Sequence, residues 1–542
     1  MIFYDLLIKK SVLMARTLPT SILASCTYNY GWKRPNFCKA RMRTDAGWVC
    51  GSIKYAENGG QYASFQGVPY AKPPLGPGRF KELEPLDPWD SSIMLDATED
   101  APICPQDDFS FGNMMFHPRG FSEDCIYLNV HIPLEYLPTN TKHCRPLKLL
   151  PILVFIHGGA FQSGSGLTDI CGPEYLLMQK VIVITFNYRL NVFGFLSLCT
   201  EQIPGNQGLR DMITLLRWVQ RNARAFGGDP DNVTLMGHSA GGTAAHLLAL
   251  SPATKGLFKS GYAFPAYYTA SPKYAKDVAT TYLTKLNITT TDPHEIHQQL
   301  IRLPLLTLME ANTALQYKGA TILFAPVVET RKYAGITRVL DDFPLTLIAK
   351  GKGKEYPTLV AYTNNEMAVS KFFMQRKGCL SYLKNNQSQI VSPRLKYILN
   401  KDQLAKVTSK IYERYFKGGL TLAEAADYYT DLYFKYPALK LAEWKESIGG
   451  APMFNFKFSY ESDYSPVKAA HWVDFRGAGH MEDLAFVFRV NSMLGNYRAF
   501  PPRTKDDVMK IWMVFLTSNI LCWHHGLLVM PYLRPTLNSD IV

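Results

Sequence analysis

The sequence predicts an α/β fold with a large, mostly parallel central sheet and helices on both faces. Three observations predict it. Leu149–His157 (LLPILVFIH) and Val181–Asn187 (VIVITFN) are unbroken apolar runs, as expected of strands covered on both sides. Asp211–Ala225 has helical spacing of apolar residues, and Ala240–Leu250 (AGGTAAHLLAL) reads as a small-residue helix. Strands alternating with helices imply crossover connections, and these make neighbouring strands parallel.

Further strands are expected at Asp124–Val130, Val233–Met236, Thr358–Tyr362 and Pro452–Phe458. Gly67–Pro74 (GVPYAKPP) reads as a turn-rich loop. Residues 1–42 read as an irregular basic leader and residues 43–542 as a single domain. No internal repeat or low-complexity segment interrupts them.

The composition, 47% hydrophobic and 19% charged over 542 residues, is that of a globular protein with material for a large core. The net charge of +13 is partly local. Residues 1–44 hold eight Lys or Arg against one acid, Asp5, a net +7. No stripe of Lys and Arg interleaved with aromatics suggests nucleic-acid binding. Ten cysteines contain no C-x-x-C pair, so no zinc or thioredoxin-like site is expected, and no other metal or cofactor is implied.

Sequons at Asn232, Asn287 and Asn386 lean weakly toward secretion. Asp5, Lys9, Lys10 and Arg16 interrupt every apolar stretch that a signal peptide would need, so the compartment stays open. Ile511–Met530 is mostly apolar but contains Thr517, Ser518, Asn519, His524 and His525. It reads as a buried terminal helix and not as a transmembrane span.

In such sheets, sites form at the carboxyl ends of strands. Gly237-His238-Ser239-Ala240-Gly241 fits G-x-S-x-G between a strand and a helix of small residues. A nucleophile on so sharp an elbow needs glycines two before and two after, where a Cβ would strike the neighbouring strand and helix. The alternative is a serine that merely caps the helix. His157-Gly158-Gly159-Ala160 ends another strand, and Gly158 and Gly159, with Ala240, are the expected N–H donors to an oxyanion. His157 precedes the nucleophile and reads as structural.

The order expected after the serine is an acid and then a histidine. His246 should point away from Ser239. His294 and His297 lie in a polar helical stretch, and His471 abuts Trp472 as a packing residue. His480, flanked by small residues in Gly477-Ala-Gly-His480, is the expected base. Glu366 follows the strand at 358–362, but a lone Glu in a loop is usually solvated surface. Position alone leaves the acid open.

Together these residues resemble the type-B carboxylesterase and cholinesterase family. The nucleophile signature is similar over Phe226–Gly242 (FGGDPDNVTLMGHSAGG) and a second signature over Glu123–Asn129 (EDCIYLN). Further similar stretches are Phe65–Phe80, His157–Phe161, Asn187–Ser197 and Asn206–Asp211, and the resemblance runs over about residues 44–520. It implies the α/β-hydrolase fold, Ser239 as nucleophile, Glu366 as acid, His480 as base, a small-molecule ester substrate and no cofactor. It also implies a Cys104–Cys125 disulfide and a supporting role for Ser260.

Some positions depart from the family pattern. Met367 stands where Gly usually follows the acid, and Met114–His117 lacks the Trp of cholinesterases, so choline esters are not expected. Gly477–Asp483 and Asp96–Pro105 look most like arthropod esterases. His238 stands where juvenile hormone esterases usually have Gln, which favours a general, odorant or xenobiotic ester over a hormone ester.

Overall fold

A computed structural model describes residues 38–56, 59–106, 120–138, 148–263, 269–316, 322–369, 379–461 and 475–490. The expectations for residues 1–37, Met114–His117, His471 and Ile511–Met530 fall outside the described residues. Eleven strands form one sheet: β1 Ala40–Arg43, β2 Trp48–Tyr55, β3 Gln61–Pro69, β4 Met94–Asp96, β5 Tyr127–Pro133, β6 Leu150–Ile156, β7 Ile182–Phe186, β8 Gly228–Gly237, β9 Ser260–Ala263, β10 Thr358–Thr363 and β11 Met453–Phe458.

Their order is β1-β2-β3-β5-β7-β6-β8-β9-β10-β11, with β4 beside β2. From β7 to β11 every pairing is parallel; from β1 to β7 every pairing along the path is antiparallel. The sheet is therefore mixed, and its parallel half carries the expected topology. The two halves differ because β1, β2 and β3 are joined by short connections that reverse the chain. The strands from β6 onward are joined by long connections, most of them containing helices.

Side chains alternate across the sheet. On β6, Ile152, Val154 and Ile156 enter one apolar cluster, and Leu153 and Phe155 enter another on the opposite face. Burial on both faces is why this strand is apolar throughout. Helices Gln207–Asn222 (α1) and Ala240–Leu250 (α2) contribute to the first cluster through Leu209, Met212, Leu216, Ala244 and Leu248. Helix Ala240–Leu250 has the bounds its sequence predicts.

Two expectations shift. β1 straddles the boundary drawn between residues 42 and 43, and a Cys38–Cys50 disulfide ties the start of the described chain to β2. Gly67–Pro69 belongs to β3 and not to a loop. The pairing with β5 shifts register between Phe65 and Val68, and Gly67 sits at that irregularity with φ +71°. A bulge with a left-handed glycine keeps the strand in the sheet despite its turn-like composition.

The second signature proves to be a brace. Glu123 pairs with buried Arg79 at 2.5 Å, Cys125 is bonded to Cys104, and Asn129 Nδ2 donates to the Gly166 carbonyl at 2.9 Å. Closing a loop of this length is worth about 3 kcal/mol by chain entropy. Arg189 and Asp211, from two other similar stretches, form a buried pair at 2.5 Å. Asn232 is buried in β8, whereas Asn287 and Asn386 are exposed, so only the latter two sequons are open to a glycan. Among the described residues no helix is long and apolar enough to cross a membrane.

Candidate active site

The carboxyl ends of β6, β8 and β10 converge on the candidate site. His238 and Ser239 alone join β8 to α2, and the Ser239 backbone is forced to φ 55°, ψ −122°. Its side chain makes no capping hydrogen bond to α2, so the helix-cap alternative does not describe it. The flanking glycines are required by space. A Cβ on Gly237 would stand 2.1 Å from the Gly241 carbonyl oxygen, and one on Gly241 would stand 2.1 Å from that of Ile156. The strained elbow leaves Ser239 half-buried at the positive end of the helix.

The loop after β6 lies against this elbow: a Cβ on Gly158 would come within 3.0 Å of the Ser239 Cβ. Gly159, Ala160 and Phe161 follow with φ of +108°, +57° and +60°, an uncommon left-handed run. The loop is held at several points. Tyr188 Oη donates to the His157 carbonyl at 2.9 Å, the Asn191 N–H donates to the Phe161 carbonyl at 2.8 Å, and Gln106 bonds Gly164 in both directions. Among the described residues no hydrogen bond engages the N–H of Gly158, Gly159 or Ala240. A rigid loop with uncommitted donors beside the serine is the arrangement an oxyanion requires.

Glu366 opens a short 3-10 turn directly after β10 and is 1% exposed. Its Oε1 accepts the Thr363 N–H at 2.6 Å, and its Oε2 lies 2.5 Å from His480 Nδ1. The His480 N–H donates to the Glu366 carbonyl at 3.1 Å, so backbone and side chain are bound together. A solvated surface glutamate would have none of these contacts. The His480 side chain keeps 17% of its surface exposed, and its ring packs 4.6 Å from that of His238, which precedes Ser239.

The other histidines lie elsewhere. His157 stacks on Tyr188 at 4.3 Å, and burial pushes it down to about 4, as suits a neutral structural ring. His246 is pushed to about 4 by burial and then by Lys445, which belongs to the helix Tyr436–Ser447. His297 Nε2 sits 3.2 Å from the Arg79 carbonyl, and His294 is exposed. Ser260, expected to support the triad, bonds Thr234 Oγ1 through its Oγ at 2.9 Å and so braces β9 against β8.

One neighbour escaped the sequence reading. Asp483, three residues after His480, is 2% exposed. Burial foremost, and then the Glu366 charge, push its carboxyl up to about 7, while His480 pulls the other way. A carboxyl kept protonated in the fold binds more protons than it does unfolded, so its contribution to stability falls as pH rises from about 4 to 7. Asp483→Asn is expected to remove that slope. Its unfolding midpoint relative to the parent should be distinctly higher at about pH 8 than at about pH 5, an effect of roughly 2–3 kcal/mol. Parallel midpoints at the two pH values would refute it. The legible signal was a second acid in Glu482-Asp483 beside the histidine; nothing local said that it would be buried.

A family model described as the carboxylesterase family matches residues 39–520. The juvenile hormone esterase of Heliothis virescens is 43% identical over 506 residues, covering 92% of this chain and 88% of that protein. Esterase FE4 of Myzus persicae is 30% identical over 498 residues, covering 89% and 84%. The crystal structure of juvenile hormone esterase from Manduca sexta, with OTFP covalently attached, superposes with a TM-score of 0.83 at 46% identity, covering 90% of each chain. Two of these three are juvenile hormone esterases, the class that the reading of His238 disfavoured. The fold, the elbow and the matched length agree: the chain belongs to the carboxylesterase family and is a carboxylic ester hydrolase.

Proposed function

We propose that Ser239, His480 and Glu366 act as a triad that cleaves apolar carboxylic esters through an acyl-enzyme. The contact between Glu366 Oε2 and His480 Nδ1 at 2.5 Å carries this reading, because an orienting carboxylate leaves Nε2 as the proton acceptor. His480 takes the Ser239 proton as the hydroxyl oxygen attacks the ester carbonyl. Glu366 stabilises the imidazolium, and the N–H groups of Gly158, Gly159 and Ala240 bind the oxyanion, each worth roughly 3–4 kcal/mol. The proton passes to the departing alcohol. Water, deprotonated by His480, then releases the acid and frees Ser239.

A hormone-type ester is the more specific reading of the substrate. The 43% and 46% identities to juvenile hormone esterases favour it. A panel of esters varying acyl length and alcohol size separates it from a general esterase: a preference for long apolar acyl groups supports it, and a flat profile opposes it.

A fluorophosphonate tests the triad directly. One adduct per chain is expected, mapped to Ser239 by peptide mass, with activity lost in proportion to labelling. A folded chain that stays unlabelled, or one labelled elsewhere, refutes the assignment.

A further inference from the structure

Two rings pack on the His480 imidazole. The His238 ring lies 4.6 Å away, centroid to centroid, with the planes tilted by 33°. The Phe434 ring lies 5.0 Å away, tilted by 55°. Phe434 is buried and belongs to one π-helical turn, Asp431–Lys435, inserted between the helices Leu422–Thr430 and Tyr436–Ser447. A π turn carries an extra residue and so re-aims the side chains around it, and such turns concentrate at functional sites. The same segment holds the loop of Glu366: Thr430 Oγ1 accepts the Met367 N–H at 3.0 Å. Within the insert, Asp431 and Lys435 pair with each other at 3.2 Å.

We propose that His238 and Phe434 are positioning residues that clamp the His480 ring against Glu366 and stabilise the imidazolium formed when Ser239 attacks. The proposal rests on the reading of His480 as the base. A cation within about 6 Å of an aromatic centroid is attracted by the ring. Small displacements of a proton acceptor cost large factors in rate, so holding the ring still matters as much as the attraction. His238 can serve only as a neutral ring. Burial foremost, and then the His480 charge, hold it well below the ordinary histidine range, so it adds no like charge beside the imidazolium. Glu366 and Asp483 supply the negative and titratable surroundings, and the two rings supply the packing.

The test uses the full chain and p-nitrophenyl acetate. Phe434→Leu and His238→Gln are each expected to lower kcat about tenfold while KM stays within about twofold. His238→Phe, which keeps a neutral ring, should retain most of the parent kcat. Parent kcat in both Phe434→Leu and His238→Gln overturns the clamp, and so does an equal loss in His238→Gln and His238→Phe. If Phe434→Leu does not fold, the His238 pair decides by the same readout. His480→Ala separates this proposal from the reading beneath it. An active His480→Ala removes the triad itself, whereas an inactive one with parent kcat in the ring variants removes only the clamp.

Discussion

Ser239→Ala is expected to lower kcat on p-nitrophenyl acetate by at least about 10⁴-fold, with the unfolding midpoint unchanged. The hydroxyl is the only atom deleted, and it makes no capping bond to the helix behind it, so the fold loses little. What remains is binding and the N–H groups of Gly158, Gly159 and Ala240, which still favour the tetrahedral species and leave a residual rate above that in water. His480→Ala should cost a similar factor, and the double variant little more, because serine and base act as one unit. Equal hydrolysis by the parent and Ser239→Ala would refute the assignment of Ser239 as the nucleophile.

The second large effect concerns backbone. Gly241→Ala should destabilise the protein by about 3 kcal/mol or more and disable any enzyme that still folds. Its Cβ would meet two carbonyl oxygens of the neighbouring strand end, Ile156 at 2.1 Å and His157 at 2.6 Å. Neither obstacle is a side chain that can rotate away. Relief requires moving α2 off β6, and β6 leads into the loop that carries Gly158 and Gly159. Gly78→Ala is the matched control. Its Cβ would meet nothing within 4 Å and its φ is ordinary, so its effect should stay within about 0.5 kcal/mol. Thermal unfolding and soluble yield measure both, and a Gly241→Ala protein as stable as Gly78→Ala would refute the argument.

Much of the site was legible because its parts are local. The turn from β8 into α2 is specified by five consecutive residues, and the glycines at its two ends are imposed by contacts this turn itself creates. The loop at Gly158 and Gly159 follows a strand whose eight-residue apolar run, Leu149–Ile156, identifies it. Glu366 was less legible. Its neighbours Thr363-Asn-Asn say only that a strand has ended, and the resemblance to carboxylesterases raised it above any other surface acid. Phe434 was not legible at all. Nothing in Asp431–Lys435 marks a π turn, and a phenylalanine at that spacing reads as ordinary core.

By itself the sequence determined the central strands around β6, β7 and β8, the helix Ala240–Leu250, the elbow and the glycine loop beside it, and it singled out His480 as the proposed base, since periodicity and turn chemistry act over a few residues. Tertiary structure alone decided which strands run antiparallel, that Cys38 pairs with Cys50, that Asn232 is buried, and that Asp483, His238 and Phe434 surround His480. Those are relations between segments distant along the chain, set by how the sheet twists and how its helices pack, and no local pattern encodes a distance across the core.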